Sequence, residues 1–528
     1  MKRIKPKPKQ IISHSSHNLE VPPSSPRRNV FAQLFFCVLL FTIAFRIYKA
    51  DRTGIIFDEA RTFRSYAGSV DQALSSYDRP NNHVLNSIFV HYAHQYFGSY
   101  EHFVRIPSLT AGIIFSLALA FVVHRLVKTK ILALASLAMI SLVPFVFDYS
   151  YLARGYAFAL AAIMLQMALV LWWLEHPIPY RYVMLPGVII ALLNFLALGA
   201  MLSSILLLSA FNLTFVLLFS PLILRDIPQR KIPVLINFFV VLPASAVPVF
   251  LLYRRIYQQI FSHEQFADFS ARWKGWADFV DFLDRLLVDS VFGPQDNLGI
   301  MLRWLALFLI MGSLLYQIYR FSRVVKSSRT RNFLRADKAA ALLLVTTALA
   351  LIIMFVYGVI IKQSLGYLRN HVFMIPLVLL CLAVMLDRFL SGIKKKSLHQ
   401  VLSLMITLTI CGIIGHNFPS AGSAGGQSVS GPLLRCLKQI DPDKNWKIAF
   451  SEKAWNHSLA FLYYRQFDYK FSWVKAGDCD LYVCLVDERP PQAICLEWET
   501  FRPFGCAAAL ARPLENNNLV LSAELLDR

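Results

Sequence analysis

Apolar runs of about 17–22 residues recur between Val30 and His416, each long enough to cross a bilayer as a helix. The pattern predicts about eleven spans. They lie near Val30–Tyr48, Val104–Val123, Ile131–Phe147, Tyr156–Leu174, Tyr182–Gly199, Ser203–Leu222, Pro233–Leu252, Ile300–Tyr319, Ala339–Ile361, Val372–Leu390 and Val401–His416. Between the first two runs, Glu59–Ser75 is read as a surface helix. Asn82–Phe97 carries Val84, Leu85, Ile88, Phe89 and Tyr92 on one side, the spacing of a helix that lies against the membrane.

Charge then orients the spans. Lys2, Arg3, Lys5, Lys7, Lys9, Arg27 and Arg28 hold the Pro- and Ser-rich tail, residues 1–29, in the cytoplasm, and that tail is expected to be disordered. With eleven spans the basic segments Arg125–Lys130, Arg225–Lys231, Arg320–Lys338 and Arg388–Lys396 also fall on the cytoplasmic side. The opposite side receives the first loop (49–103), the Asp148–Gly155 turn, the second large loop (253–299) and the Lys362–His371 loop. Tyr253, Arg254 and Arg255 are read as a membrane edge, and Tyr257–Val291 as interfacial. No cleavable signal is evident, so the first run is expected to stay as a span.

The transmembrane unit thus occupies residues 30–416, and a Ser- and Gly-rich linker, 417–431, follows it. Residues 432–528 alternate short apolar runs (Trp446–Phe450, Leu481–Val486) with helical patterns at Leu433–Ile440 and Lys453–Tyr464, which suggests a small extracytoplasmic α/β domain. The fold class expected is an all-α polytopic membrane protein with that domain appended.

Composition supports the membrane class: 56% of residues are hydrophobic and 16% charged, against roughly 25% charged in soluble proteins. The net charge of +21 could point to nucleic acid, but the basic residues sit mainly between apolar runs, so topology accounts for them and no nucleic-acid partner is expected. Of eight cysteines, Cys37, Cys381 and Cys411 lie in spans, and the other five fall in the tail domain with spacings unlike a zinc site.

Three clusters on the extracytoplasmic face could carry chemistry. One is Phe57–Thr62, containing Asp58 and Glu59, followed by Tyr77–His83. The second is Tyr149–Tyr156, with Arg154, and the third is Lys362, Tyr367, Arg369, Asn370 and His371. Carboxylates in the hydrocarbon core are costly, so the acid pair belongs at the water boundary.

The acid dyad after the first span, the Pro-Asn-Asn-His-x-Leu element (Pro80–Leu85), the Arg-Ile-Pro-Ser start of the second span (Arg105–Ser108) and the Ala-Arg-Gly-Tyr helix start together resemble the GT-C membrane glycosyltransferases. Within that group the chain is most similar to the branch of protein O-mannosyltransferases and lipid A aminoarabinose transferases. The resemblance runs from about Val30 to Leu390 and weakens after the fourth span. It implies a polyprenyl-phosphate-linked sugar donor, a hydroxyl acceptor, transfer outside the cytoplasm and inversion at the anomeric carbon.

By position, Asp58 matches the family's catalytic aspartate and Glu59 its acidic neighbour. Asn82, His83, Arg105, Arg154, Tyr156 and Arg369 are the expected substrate contacts, with Arg154 and Arg369 at the donor phosphate. Asn81 and Asn82 stand where many relatives have Lys-Pro-Pro chemistry, and Leu152 stands where they have an acid or amide, so those two roles do not transfer. No metal site and no soluble cofactor are required, and a divalent cation at Asp58 stays open. Blander readings remain: Asp58 and Glu59 as helix-capping acids, Arg105 and Arg154 as interfacial anchors, and His83, His91 and His94 as surface histidines. A transporter or flippase of lipid-linked saccharides is the rival function, and its ionisable groups would lie deep within the spans.

Overall fold

The computed structural model describes residues 30–77, 82–98, 100–176, 184–216, 244–261, 275–286, 338–361, 368–417, five strand segments between 446 and 510, and a few isolated residues besides. The basic tail, Asp78–Asn81, the Ile300–Tyr319 run, most of the linker and the two helical patterns after it lie outside the described residues.

Six described helices are long and apolar enough to cross a membrane: α1 (Val30–Arg52), α5 (Glu101–Leu126), α8 (Tyr156–Glu175), and the helices at Lys338–Ile361, Met374–Ser391 and Lys396–Asn417. The chain is a multi-pass membrane protein. α8 is buried along most of its length and packs between α5 and α9 (Leu185–Ala200), while α1 leaves Phe36, Leu40, Phe41 and Ile47 exposed on an outward face. α9 and α10 (Ile205–Thr214) fall on the fifth and sixth expected runs.

The third run is not one helix. α6 (Lys130–Leu142) ends at Val143, and α7 (Pro144–Tyr149) starts anew. Pro144 has no N–H to continue the α6 ladder, and Val143 adopts ψ 122°, so the chain breaks there and redirects the following turn.

The first loop folds as three helices. α2 (Phe57–Ser65) and α3 (Val70–Ser75) replace the single expected surface helix. The break is filled by Tyr66 and Ala67, both buried, and Ser69 opens α3 by accepting the Gln72 N–H at 3.0 Å. α4 (Val84–Phe97) was expected only to lie on the membrane. Instead it buries Val84, Leu85, Val90 and Ala93 against neighbouring helices, chiefly α5, and exposes Tyr92, Tyr96 and Phe97.

The second loop docks on the first. Tyr253 and Ile256 pack with Tyr77 and Val84 in one buried cluster. Tyr253 donates its hydroxyl to the carbonyls of Leu198 and Gly199, both at 3.1 Å, and Arg255 pairs with Asp71. These residues therefore join two loops and do not simply mark a membrane edge.

Near the C-terminus the strands β1 (Trp446–Phe450), β2 (Phe471–Trp473), β3 (Leu481–Leu485), β4 (Glu497–Glu499) and β5 (Cys506–Leu510) form one sheet in the order β2-β1-β3-β5-β4. β2, β1 and β3 run parallel, whereas β5 is antiparallel to both β3 and β4.

Candidate active site

α1 ends at Arg52, and after a four-residue link α2 begins with Phe57-Asp58-Glu59. Acids favour a first helical turn because its N–H groups are unpaired and the helix dipole is positive there. Glu59 uses that position: its Oε2 accepts the Ile56 N–H at 3.2 Å, the glutamate half of a capping box.

Adjacent helical residues point about 100° apart, so the two acids meet different surroundings. Glu59 faces inward. Its carboxylate receives four donors: Arg105 Nε at 2.8 Å, Arg105 Nη2 at 2.5 Å, the Ala153 N–H at 2.6 Å and the Ile56 N–H. Arg105 is equally consumed. Its remaining donors reach the carbonyls of Ala50 (2.9 Å), Thr53 (2.5 Å) and Gly54 (3.0 Å), so all five N–H groups are used inside the protein. The expected substrate role for Arg105 is replaced here by a structural one, because the side chain is fully buried and every donor is engaged.

Asp58 faces the 148–155 turn. The Arg154 guanidinium stands 3.7 Å from its Oδ2, and Arg154 Nη1 donates to the Asp58 carbonyl (3.3 Å) and the Thr62 hydroxyl (3.2 Å). The Asp58 side chain keeps 11% of its surface exposed, against 1% for Glu59, so Asp58 is the more accessible of the two acids.

The turn that carries Arg154 is pinned from every side. Asn86 on α4 donates to the Ala153 carbonyl at 3.1 Å, and Ser108 on α5 bonds Asn86 Oδ1 and the Arg154 carbonyl, each at 3.1 Å. Tyr151 lies buried with its hydroxyl 3.4 Å from Thr53 Oγ1 and its ring 5.9 Å from the Arg105 guanidinium. Burial, then the nearby charge of Asp148, pushes the Tyr151 phenol well above its ordinary pKa, so it stays protonated.

His83 and Tyr156 form the other wall. Their rings meet edge to face at 4.9 Å, the Arg154 guanidinium lies 5.7 Å from the Tyr156 ring, and His83 Nδ1 is 2.9 Å from the Ala200 carbonyl. Gly155 is required here by space: a Cβ would stand 2.0 Å from that same Ala200 oxygen. Asn82 is committed elsewhere. Its amide donates to the carbonyls of Ala73 and Ser76, and its oxygen accepts from Ser87, so it closes the α3–α4 connection and has no donor left over.

Arg369 belongs to a short 3-10 turn, Leu368–His371, whose Asn370 carbonyl accepts from Ser203 Oγ at 2.9 Å. Ser203 lies three residues beyond Ala200, so this backbone is tied to the shelf that holds His83. Of the expected residues, Asp58, Glu59, His83, Arg154 and Tyr156 come together from three chain segments; Asn82 and Arg105 hold the scaffold, and Arg369 is located by its backbone. Sequence reasoning named Ser108 only as part of the Arg-Ile-Pro-Ser motif and missed Asn86 and Arg46; of these two, only Arg46, a charge within an apolar run, left a readable signal.

Among the described residues no three His, Cys, Asp or Glu side chains stand together as a metal cage would need. The acids also do not fit a divalent cation well. Glu59 has spent its oxygens on four donors, and Asp58 already faces a guanidinium that would repel a second cation.

No family model and no curated protein matches the chain. Among solved structures it is similar to ArnT from Cupriavidus metallidurans bound to undecaprenyl phosphate, at 13% identity and a TM-score of 0.47 over 92% of this chain and 100% of that one. The apo state of the same protein gives 13% and 0.45, over 92% and 99% of the two chains. The archaeal oligosaccharyltransferase AglB from Archaeoglobus fulgidus, in complex with an inhibitory peptide and a dolichol-phosphate, gives 12% and 0.41, over 87% and 70%. Likenesses at this level leave the functional reading to the chain's own residues.

Proposed function

We propose that the chain is a GT-C-like glycosyltransferase that moves a sugar from a polyprenyl-phosphate donor to a hydroxyl acceptor on the extracytoplasmic face, with inversion. The observation that carries this reading is the pairing of a partly accessible carboxylate, Asp58, with a buried guanidinium, Arg154, just beyond the first span. One acid and one cation side by side are what a single displacement at a phosphate-activated sugar requires.

Asp58 takes the proton of the acceptor hydroxyl as its oxygen bonds to the anomeric carbon. The bond from that carbon to the phosphate oxygen breaks, and the polyprenyl phosphate leaves with the electron pair. General-base help of this kind contributes about 10²–10⁴-fold. The leaving phosphate gains negative charge, which Arg154 offsets, with Arg369 as a second cation. A well-placed donor at such a developing charge is worth on the order of 3–4 kcal/mol. His83 and Tyr156 bound the sugar, and Glu59 holds the Leu152–Ala153 peptide, next to Arg154, in register.

A transporter would place its ionisable groups deep within its spans. The acid pair Asp58 and Glu59 instead lies in the first turn of α2, just beyond the first span, which favours the enzyme.

The reading is tested by lipid analysis of cells with and without the chain. Loss of the chain should make one polyprenyl-phosphate sugar accumulate; no change in any such lipid would count against transfer from that donor class.

A further inference from the structure

Arg46 is a full positive charge in the apolar first span, fully buried, six residues before the end of α1. Charges there are expensive to insert, so a retained one calls for a function. No carboxylate answers it in the described contacts. Its Nε donates to Ser150 Oγ at 2.6 Å, Nη1 to the Thr42 carbonyl at 3.0 Å and Nη2 to the Ser141 carbonyl at 2.8 Å, and the guanidinium lies 5.2 Å from the Phe147 ring centre.

Apart from the Thr42 carbonyl in its own helix, its partners lie at or next to helix ends. Ser141 is in the last turn of α6, where carbonyls lack helical partners and the dipole is negative. Phe147 is in α7, and Ser150 follows it, passing its own proton to the Phe147 carbonyl at 2.6 Å. One planar fork thus joins the end of α6 to Ser150, in the turn that carries Arg154, and lies against Phe147 of α7. The contact is close-fitting on the far side too, since a Cβ on Gly112 would stand 2.0 Å from the Ser150 carbonyl oxygen.

We infer that Arg46 is a positioning residue for the transfer: it sets the 148–155 turn from inside the membrane, so that Arg154 stands opposite Asp58. This inference rests on the proposed function for its activity readout alone. Because the break at Pro144 leaves the α6–α7 junction without continuous helical bonds, the turn needs such an anchor.

Arg46→Lys keeps the charge but cannot span three acceptors with one planar group. The experiment uses the full chain in proteoliposomes, with two readouts. The first is amide hydrogen exchange, where Arg46→Lys should speed exchange at least tenfold across residues 148–155 and leave α9 unchanged. The second is turnover of a polyprenyl-phosphate sugar, where kcat should fall about tenfold while the donor KM changes less than threefold. Unchanged exchange in the turn, or an unchanged kcat beside an active parent, overturns the inference. Faster exchange with no turnover by the parent protein overturns the proposed donor instead and leaves the anchor standing. Ser150→Ala, which removes the acceptor of Arg46 Nε while keeping the guanidinium itself, should reproduce the local exchange, and its failure to do so also counts against the inference.

Discussion

Glu59 and Arg105 form a two-pronged ion pair whose side chains are 1% and 0% exposed, and the same carboxylate captures the peptide N–H that precedes Arg154. The neighbouring Asp58 has a looser contact with Arg154 and keeps part of its surface open. Two acids joined by one peptide bond therefore have different surroundings: one fixes the frame, and the other keeps part of its carboxylate accessible.

That division predicts opposite outcomes for the two acids. Asp58→Asn preserves shape and removes the proton acceptor, so turnover should fall by about 10²–10⁴-fold. The variant should elute and melt like the parent in detergent. Retention of more than a tenth of the parent's turnover would remove Asp58 from the base role.

Arg105→Met should act on stability first. Deleting one partner of a buried pair leaves the other charge uncompensated, at a cost of roughly 3–5 kcal/mol. Glu59→Met with Arg105→Met should recover part of that loss, because no lone charge remains. A double-mutant cycle of thermal melts measures it. Additive losses in the double variant would show that the two side chains are not coupled.

Gly155→Ala tests the shelf under His83. The added methyl would meet the Ala200 carbonyl oxygen at 2.0 Å, a backbone atom that has little room to yield. Overpacking of this kind costs about 1–3 kcal/mol. The displaced turn should also reduce turnover by more than the lost stability explains. Normal melting and normal turnover would mean that α8 and α9 part easily.

Much of this was readable from the chain, for identifiable reasons. Spans announce themselves by unbroken apolar length, and Asp58 and Glu59 by following one such run directly. What the pattern could not carry was the role of each acid. The Glu59–Arg105 contact closes over a separation of 46 residues, and nothing local distinguishes an acid turned toward α5 from its neighbour turned toward Arg154. Arg255 misled for the same reason. A basic residue after an apolar run reads as a membrane edge, yet its partner Asp71 lies 184 residues back. Pro144 stood in plain view within the third run, but an apolar count does not register a missing N–H.

The loop-to-loop dock yields a last prediction, in the alkaline range. Burial raises the Tyr77 phenol from an ordinary 10.0 to about 12. Raising a folded-state pKa means that the native protein holds its proton where the unfolded chain has lost it. The associated stability is complete below about pH 10 and is lost as pH rises toward about 12. Two pKa units correspond to about 3 kcal/mol at most. Tyr77→Phe should therefore flatten the loss of melting temperature between those pH values, and it should remove one late-titrating phenol from the ultraviolet titration. Arg255→Ala, by contrast, breaks a contact whose partners are 50% and 76% exposed, where a surface pair is worth about 0–1 kcal/mol. If Arg255→Ala loosens the dock more than Tyr77→Phe changes its alkaline melting, the exposed ion pair and not the buried Tyr77–Tyr253 cluster holds the two loops together.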